Sequence, residues 1–167
     1  MEEKILISES VKGNREAFGQ LYEIYKSRLY RFALYRLGNI DDACDAVGDT
    51  VVSAFEQIKN LRNKNAFSTW IFRILNLTCN RYIKNRIESR SILNIDDVNL
   101  SIDFNANFIE LKQSLDVLSD EERQIVLLSF IGGLNSKEIS KITGLKPGSV
   151  RSKLSRALVK MKKFSEE

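Results

Sequence analysis

The stretch that decides the fold is residues 119–163, SDEERQIVLLSFIGGLNSKEISKITGLKPGSVRSKLSRALVKMKK. Ser119 and Glu122 have the spacing of a capping box, in which each side chain satisfies a backbone N–H of the other residue. Asn135 and Glu138 repeat that spacing sixteen residues later. Each pair precedes apolar residues at helical spacing, so the sequence predicts two consecutive helices here.

A third helix follows a tight turn. Gly144 stands where the turn needs a left-handed residue, and Pro147 suits a first helical turn because its missing N–H has no intrahelical partner there. The residues predicted to face inward are Val150, Leu154, Leu158 and Met161. The residues left on the outer face are Lys146, Ser149, Arg151, Ser152, Lys153, Ser155 and Arg156. This face is basic and rich in hydroxyl groups, which predicts a helix-turn-helix that reads duplex DNA rather than an ordinary solvated helix.

Composition limits the class of protein. The 167 residues are 43% hydrophobic, enough for one medium domain or two small ones. No stretch approaches the roughly 20 apolar residues of a membrane span, and the N-terminus lacks the blocks of a signal peptide. We therefore expect a cytoplasmic protein without membrane insertion. Cys44 and Cys79 have neither metal-ligand spacing nor a disulfide framework, which favours two buried thiols.

The absence of certain residues argues against catalysis. There is no histidine, the commonest general base and zinc ligand, and no glycine-rich phosphate loop. We therefore expect no catalytic residues, no cofactor and no metal. One proline and eight glycines in the whole chain favour an all-α protein.

Charge alternates along the chain. Residues 1–60 and 91–122 carry net charges of −2 and −7, whereas residues 61–90 and 123–167 carry +6 and +7. Two basic segments separated by an acidic one predict two contacts with a polyanion.

The first half of the chain reads as helices. Residues 14–37 place an aromatic and aliphatic stripe at helical spacing, and after Gly38 the next helix is predicted to start at Asp41 or Asp42 as its N-cap. An outer row of like charges follows on that helix, formed by Asp42, Asp45 and Asp49. Such a row is either a solvated face or, as the basic remainder of the chain favours, a docking surface for a cationic partner.

A polar, cationic loop at residues 59–69 leads into another helix that carries aromatic and basic side chains. This combination suits single-stranded nucleic acid, because bases stack on rings while phosphates follow the positive charge. Trp70 fits either this role or the core. We predict two small helical domains, residues 1–88 and a helix-turn-helix at residues 109–167, joined by an acidic linker at residues 89–108 that lacks sustained periodicity.

Four motifs together resemble a bacterial extracytoplasmic-function (ECF, group IV) sigma factor of RNA polymerase. AFGQLYEIYKSRLYRFA is similar to the opening helix of that family, DDACDAVGDT to its acidic polymerase-binding helix, and FSTWIFRILNLTCNRYIKNR to its promoter-melting segment. Residues 118–163 resemble its DNA-reading domain. Departures from the family pattern occur at Gly48, Val51, Leu77 and Arg81.

The resemblance implies binding to core RNA polymerase, duplex reading of a -35 element, and recognition and melting of a -10 element through a base flipped from one strand. It implies that the row Asp42, Asp45 and Asp49 binds the polymerase. The residues implied at the -10 element are Arg62, Lys64, Asn65, Phe67, Ser68, Trp70, Arg73, Asn76, Asn80, Arg81 and Lys84. The outer face of the last helix is implied at the -35 element. Family members are commonly held by an anti-sigma factor, and catalysis stays with the polymerase.

Two other classes remain open on the sequence. One is a helix-turn-helix regulator that acts without being a polymerase subunit. The other is a helical adaptor with no role at nucleic acid. The aromatic and basic segment argues against the first, and the recognition helix against the second.

Overall fold

The computed structural model describes residues 2–93 and 106–166, with the side chains of residues 2–87 and 108–166. These residues form helices joined by short connections, which confirms the predicted all-α class. The helices are α1 (Glu2–Val11), α2 (Arg15–Leu37), α3 (Ile40–Gln57), α4 (Phe67–Leu93), α5 (Ala106–Asp116), α6 (Asp120–Phe130), α7 (Ser136–Thr143) and α8 (Pro147–Glu166). The chain divides into two compact units, Met1–Asp97 and Val98–Glu167. Among the described helices, none has both the length and the apolar character needed to cross a membrane.

Helix α2 is the centre of the first unit and packs against α1, α3 and α4. Its predicted apolar stripe is buried at Phe18, Leu21, Tyr25, Leu29, Phe32 and Ala33, and half-buried at Tyr22. The ring of Phe32 meets Phe72 of α4 edge-on, with 5.8 Å between ring centroids. Sequence periodicity had not identified Phe72 as a core residue, although it is fully buried.

The start of α3 corrects one prediction. Its N-cap is Asn39, whose side chain accepts a hydrogen bond from the backbone N–H of Asp42 at 2.9 Å. Gly38 ends α2 in the left-handed conformation, with φ of 69°, so the helix can restart two residues later. The expected caps Asp41 and Asp42 therefore lie in the first turn of α3.

Helix α4 is longer than expected. It continues to Leu93, so residues 89–93 of the predicted linker are helical, and α5 begins at Ala106, inside the last residues of that linker. Residues 94–105 lie outside the described part of the chain. Residues 89–93 contain no glycine or proline, which is consistent with their helical conformation.

The second unit confirms both capping boxes. The Ser119 and Glu122 pair begins α6 and the Asn135 and Glu138 pair begins α7. Gly144 ends α7 with φ of 80°, and α8 starts at Pro147 as predicted.

The buried face of α8 differs from the prediction at one position. Val150 is buried, and Leu154 and Met161 are half-buried, but Leu158 is 38% exposed. Ala157 is buried instead. The neighbouring helices therefore cover α8 at Ala157 and not at Leu158.

The two cysteines have different environments. Cys79 is buried, as predicted, and its burial raises the thiol pKa to about 12. Cys44 is exposed, so the expectation of two buried thiols was wrong for this residue. It lies in α3, one residue before Asp45 in the sequence.

Candidate nucleic-acid and docking interfaces

The acidic row of α3 is partly satisfied within the chain. Asp42 accepts a hydrogen bond from Arg86 at 2.6 Å, and Arg86 also donates to the carbonyl oxygen of Leu37 at 2.7 Å. Asp49 accepts from the Tyr82 hydroxyl at 2.7 Å. Asp45, between them, is exposed.

These contacts join the row to α4. Partial burial and the hydrogen bond to Asp49 raise the pKa of Tyr82 to about 12, so its hydroxyl stays a proton donor at physiological pH. Arg81 also approaches Asp49, at 3.9 Å, in a mostly exposed pair. An exposed pair contributes at most about 1 kcal/mol. The row therefore remains available to a stronger cationic partner, with Asp45 at its centre.

A pocket of about 400 Å³ lies between α2 and α3 beside this row. Its lining includes the rings of Tyr22 and Tyr30, and Val47. Gly48, one of the departures from the family pattern, also lines it, and a Cβ atom added there would meet no heavy atom within 4 Å. Sequence reasoning missed this pocket, because residues from two helices form it.

The connection between α3 and α4 presents the basic loop. Arg62, Lys64 and Asn65 are exposed, and Asn63 fixes the turn by accepting from the backbone N–H of Asn65 at 3.0 Å. Helix α4 begins at Phe67, earlier than the predicted end of the loop at residue 69.

Phe67 corrects the prediction of a base-stacking ring. It is 2% exposed and meets the ring of Tyr25 edge-on, with 5.1 Å between centroids. The ring is therefore covered by the first unit and is not available to stack on a base. Trp70 is half-buried, with 5.8 Å between its ring centroid and that of Phe67, so it keeps accessible surface beside the loop.

The remaining residues predicted at the -10 element separate into three groups by exposure. Arg73, Arg81 and Lys84 are exposed on α4, and Ser68 and Asn80 are half-buried, Asn80 accepting from the Arg36 guanidinium. Asn76 is 3% exposed, so its assignment to the outer face was wrong. Leu77, one residue later, is 57% exposed. Leu77 therefore takes the exposed position that was assigned to Asn76, while the other exposed residues of this face lie where they were predicted.

A second pocket of about 280 Å³ opens beside the basic loop. Glu3 and Lys4 of α1 form one side, and Lys64, Asn65 and Ser68 form the other. Helix α1 was not predicted from the sequence, and no role was assigned to it. Apart from the two glutamates of its first turn, its ten residues contain few features that predict a helix.

The outer face of α8 is largely accessible. Lys146, Arg151, Ser152, Ser155 and Arg156 are exposed, and Ser149 is half-buried. Arg151 donates to the Ser136 hydroxyl at 3.2 Å, which ties α8 to the start of α7. Lys153 is half-buried and pairs with Glu121 of α6 at 2.7 Å, so it braces the domain instead of projecting freely.

The arrangement offers binding surfaces and no evident metal centre. Within the described residues, no three His, Cys, Asp or Glu side chains are grouped so that they could hold a metal ion. The chemistry available is that of charge, hydrogen bonding and aromatic stacking.

Comparison with known proteins agrees with this geometry. The family model Sigma-70 region 2 matches residues 21–87, and Sigma-70, region 4 matches residues 108–161. ECF RNA polymerase sigma factor SigW of Bacillus subtilis is 26% identical over 94% of this chain and 93% of its own length. RNA polymerase sigma factor SigV of the same organism is 27% identical over 83% of this chain and 84% of its own.

The fold has a solved counterpart. The sigma factor RpoE of Bartonella quintana, crystallised with the anti-sigma factor NepR, has a TM-score of 0.78 and 21% identity over 89% of this chain and 96% of that one. The two matched regions follow one another along a single helical chain. This chain is a member of the sigma-70 family of RNA polymerase sigma factors, in its ECF group.

Proposed function

We propose that this chain is an alternative sigma factor that binds core RNA polymerase and directs it to specific promoters. The observation that carries the proposal is the succession of region 2 and region 4 on one chain. The match to SigW covers 93% of the length of SigW, so the proposed function involves both regions together and not one of them alone. Catalysis then belongs to the polymerase, and the place of action is the cytoplasm, where transcription occurs in bacteria.

The proposed contact with the polymerase is the acidic row of α3. Asp45 is exposed at its centre, while Asp42 and Asp49 are held by Arg86 and Tyr82. Complementary charge across an interface mainly increases the association rate and fixes the orientation of docking. A basic surface of the polymerase can pair with Asp45 while Arg86 and Tyr82 keep their hydrogen bonds to the other two carboxylates.

The proposed contact with the -10 element is the loop and the first turns of α4. Asn65 supplies an amide for the edge of an extruded base, Trp70 supplies a ring for stacking, and Lys64 supplies charge for the phosphates. Extrusion costs a few kcal/mol, and stacking returns about 1–3 kcal/mol per base. Arg73 and Lys84 would follow the strand along α4.

The proposed contact with the -35 element is the outer face of α8. A helix that follows a capped partner helix and a left-handed glycine can enter the major groove, where arginine reads guanine through two hydrogen bonds. Arg151 and Arg156 are the exposed guanidinium groups of this face. Lys153 has a smaller share, since Glu121 already holds it.

We also propose that an anti-sigma factor binds this chain. RpoE of Bartonella quintana was crystallised with such a partner. A partner of this kind would compete with the polymerase for the same surfaces.

The decisive experiment is run-off transcription with core polymerase on a panel of promoters. We expect transcripts that require this chain and that differ strongly between promoters. The Asp45→Lys variant should lose activity in proportion to its loss of polymerase binding. Stable, specific duplex binding by the chain alone, with no transcript on any template, would instead indicate a regulator that acts without being a polymerase subunit.

A further inference from the structure

The pocket beside the basic loop has the size and lining of a site for one nucleobase. Its volume is about 280 Å³, slightly below the roughly 300–1,000 Å³ typical of pockets for drug-sized ligands. Five of its eight lining residues are charged or polar, namely Glu3, Lys4, Lys64, Asn65 and Ser68. Glu3 and Lys4 precede residue 21, where the match to region 2 begins.

The carboxylate of Glu3 is held in place. It accepts a hydrogen bond from the hydroxyl of Tyr25, whose oxygen is also 2.8 Å from the Ser68 hydroxyl. Tyr25 is 1% exposed and packs against Phe67, so the chain of contacts rests on the core. An ionised carboxylate has about four acceptor positions, and the bond from Tyr25 occupies one of them. Glu3 is therefore a fixed acceptor in the pocket wall with capacity for another donor.

A carboxylate at this position needs a reason beyond packing. The DNA backbone repels negative charge, and the surrounding loop is otherwise basic. Lys4 and Lys64 line the same pocket and can offset that repulsion at the phosphates. The group that a carboxylate recognises on a base is an exocyclic amino group, as acidic side chains do with N4 of cytosine. Thymine presents O4 at the equivalent position, which would place two acceptors together.

We propose that Glu3 is a specificity-determining residue of the -10 pocket and selects a flipped base whose exocyclic amino group lies beside an acceptor ring nitrogen, cytosine or adenine, over thymine. The Asn65 amide lines the same pocket and can donate to that ring nitrogen, which in guanine carries a hydrogen and cannot accept. The inference rests on the proposed function, because it assigns the -10 base to this pocket.

The test uses holoenzyme made from the full chain and core polymerase on premelted templates with each of the four bases at each -10 position. For the parent, we expect transcription to favour cytosine or adenine over thymine at one position by about 5-fold or more, the lower end of discrimination by one side chain. Glu3→Gln presents an amide N–H₂ group, so the preference should fall or reverse toward thymine. Glu2→Gln makes the same charge change one residue away, outside the pocket, and should keep the parent preference.

A second measurement uses the parent protein alone, so its result does not depend on whether the Glu3→Gln variant folds. Templates with 2-pyrimidinone or purine in place of cytosine or adenine lack only the amino group, and we expect them to be transcribed as weakly as the thymine template. If these analogues are transcribed like cytosine and adenine, Glu3 does not read the amino group. An equal loss on all four bases in Glu3→Gln would also overturn the proposal and leave Glu3 as a support for Tyr25. A parent that transcribes its promoters but prefers thymine refutes this inference alone, whereas a parent that transcribes none refutes the proposed function as well.

Discussion

Glu122 uses one carboxylate oxygen for two contacts. Its Oε1 accepts from Lys160 of α8 at 2.9 Å and from the backbone N–H of Ser119 at 3.0 Å. The hydrogen bond from Lys160, followed by that from Ser119, lowers the pKa of Glu122 below its ordinary value of 4.5. One residue therefore both begins α6 and fastens α8 to it.

This arrangement predicts acid sensitivity of the second unit. A lowered pKa in the folded state stabilises the fold above the ordinary value of 4.5, and that contribution is lost as the pH falls through the folded value. We expect hydrogen exchange of the α6 amides to accelerate as the pH falls through this range, after correction for the intrinsic rate. Glu122→Gln and Lys160→Met should both flatten the dependence, whereas Lys162→Met on the same helix should not. An unchanged slope in both variants would contradict the assignment.

Phe67 belongs to the core and not to the base-reading surface. Phe67→Ala should destabilise the first unit by about 3–5 kcal/mol, as measured by urea unfolding, because the ring is 2% exposed and leaves a cavity. Trp70→Ala should cost less stability and should weaken binding of holoenzyme to a single-stranded -10 oligonucleotide. A Phe67→Ala variant with parental stability and a pure binding defect would restore the original expectation of a stacking ring.

At the scale of elements, the role of the acidic row of α3 can be tested by comparing two charge-reversal variants on that helix. Asp45→Lys should weaken binding to core polymerase tenfold or more, since close interfacial charge pairs couple by about 1.5 kcal/mol or above. Glu56→Lys reverses a charge eleven residues later on the same helix, roughly 16 Å along its axis, and should bind like the parent. Titration of fluorescent core polymerase measures both. Equal affinities for the two variants would remove the row from the docking surface.

The helix-turn-helix was predictable because its signals are local. The capping boxes, Gly144 and Pro147 each act on backbone groups within four residues. The short stretch of sequence around each of them is therefore enough to predict where the helix begins or ends. The core position of Phe72 and the exposure of Leu158 depend on which neighbouring helix approaches, which periodicity cannot supply. The same reason applies to the site. Charge and residue type located the loop and the acidic row, but only tertiary packing reveals that Phe67 and Asn76 are covered and that Glu3 reaches the loop.

At the scale of the whole molecule, the division into two compact units predicts independent contributions to promoter binding. Asn65→Ala and Arg156→Ala should each cost about 1–3 kcal/mol, and the double variant should equal their sum within about 0.5 kcal/mol. Equilibrium binding of holoenzyme to a complete promoter measures all four proteins. Lys153→Ala with Glu121→Ala is a contrasting pair, because these side chains touch at 2.7 Å and should be non-additive for stability. Strong coupling between Asn65 and Arg156 would mean that the two DNA contacts form in one step.

The unequal cysteines give the native chain a labelling position. Cys44 is exposed one residue before Asp45, whereas Cys79 is buried with a pKa of about 12 and has almost no reactive thiolate near neutral pH. A maleimide dye should therefore attach at Cys44 without any engineered substitution. Fluorescence from that dye would report directly on whatever covers the acidic row, whether polymerase or a competing protein, in real time and with the parent sequence otherwise intact.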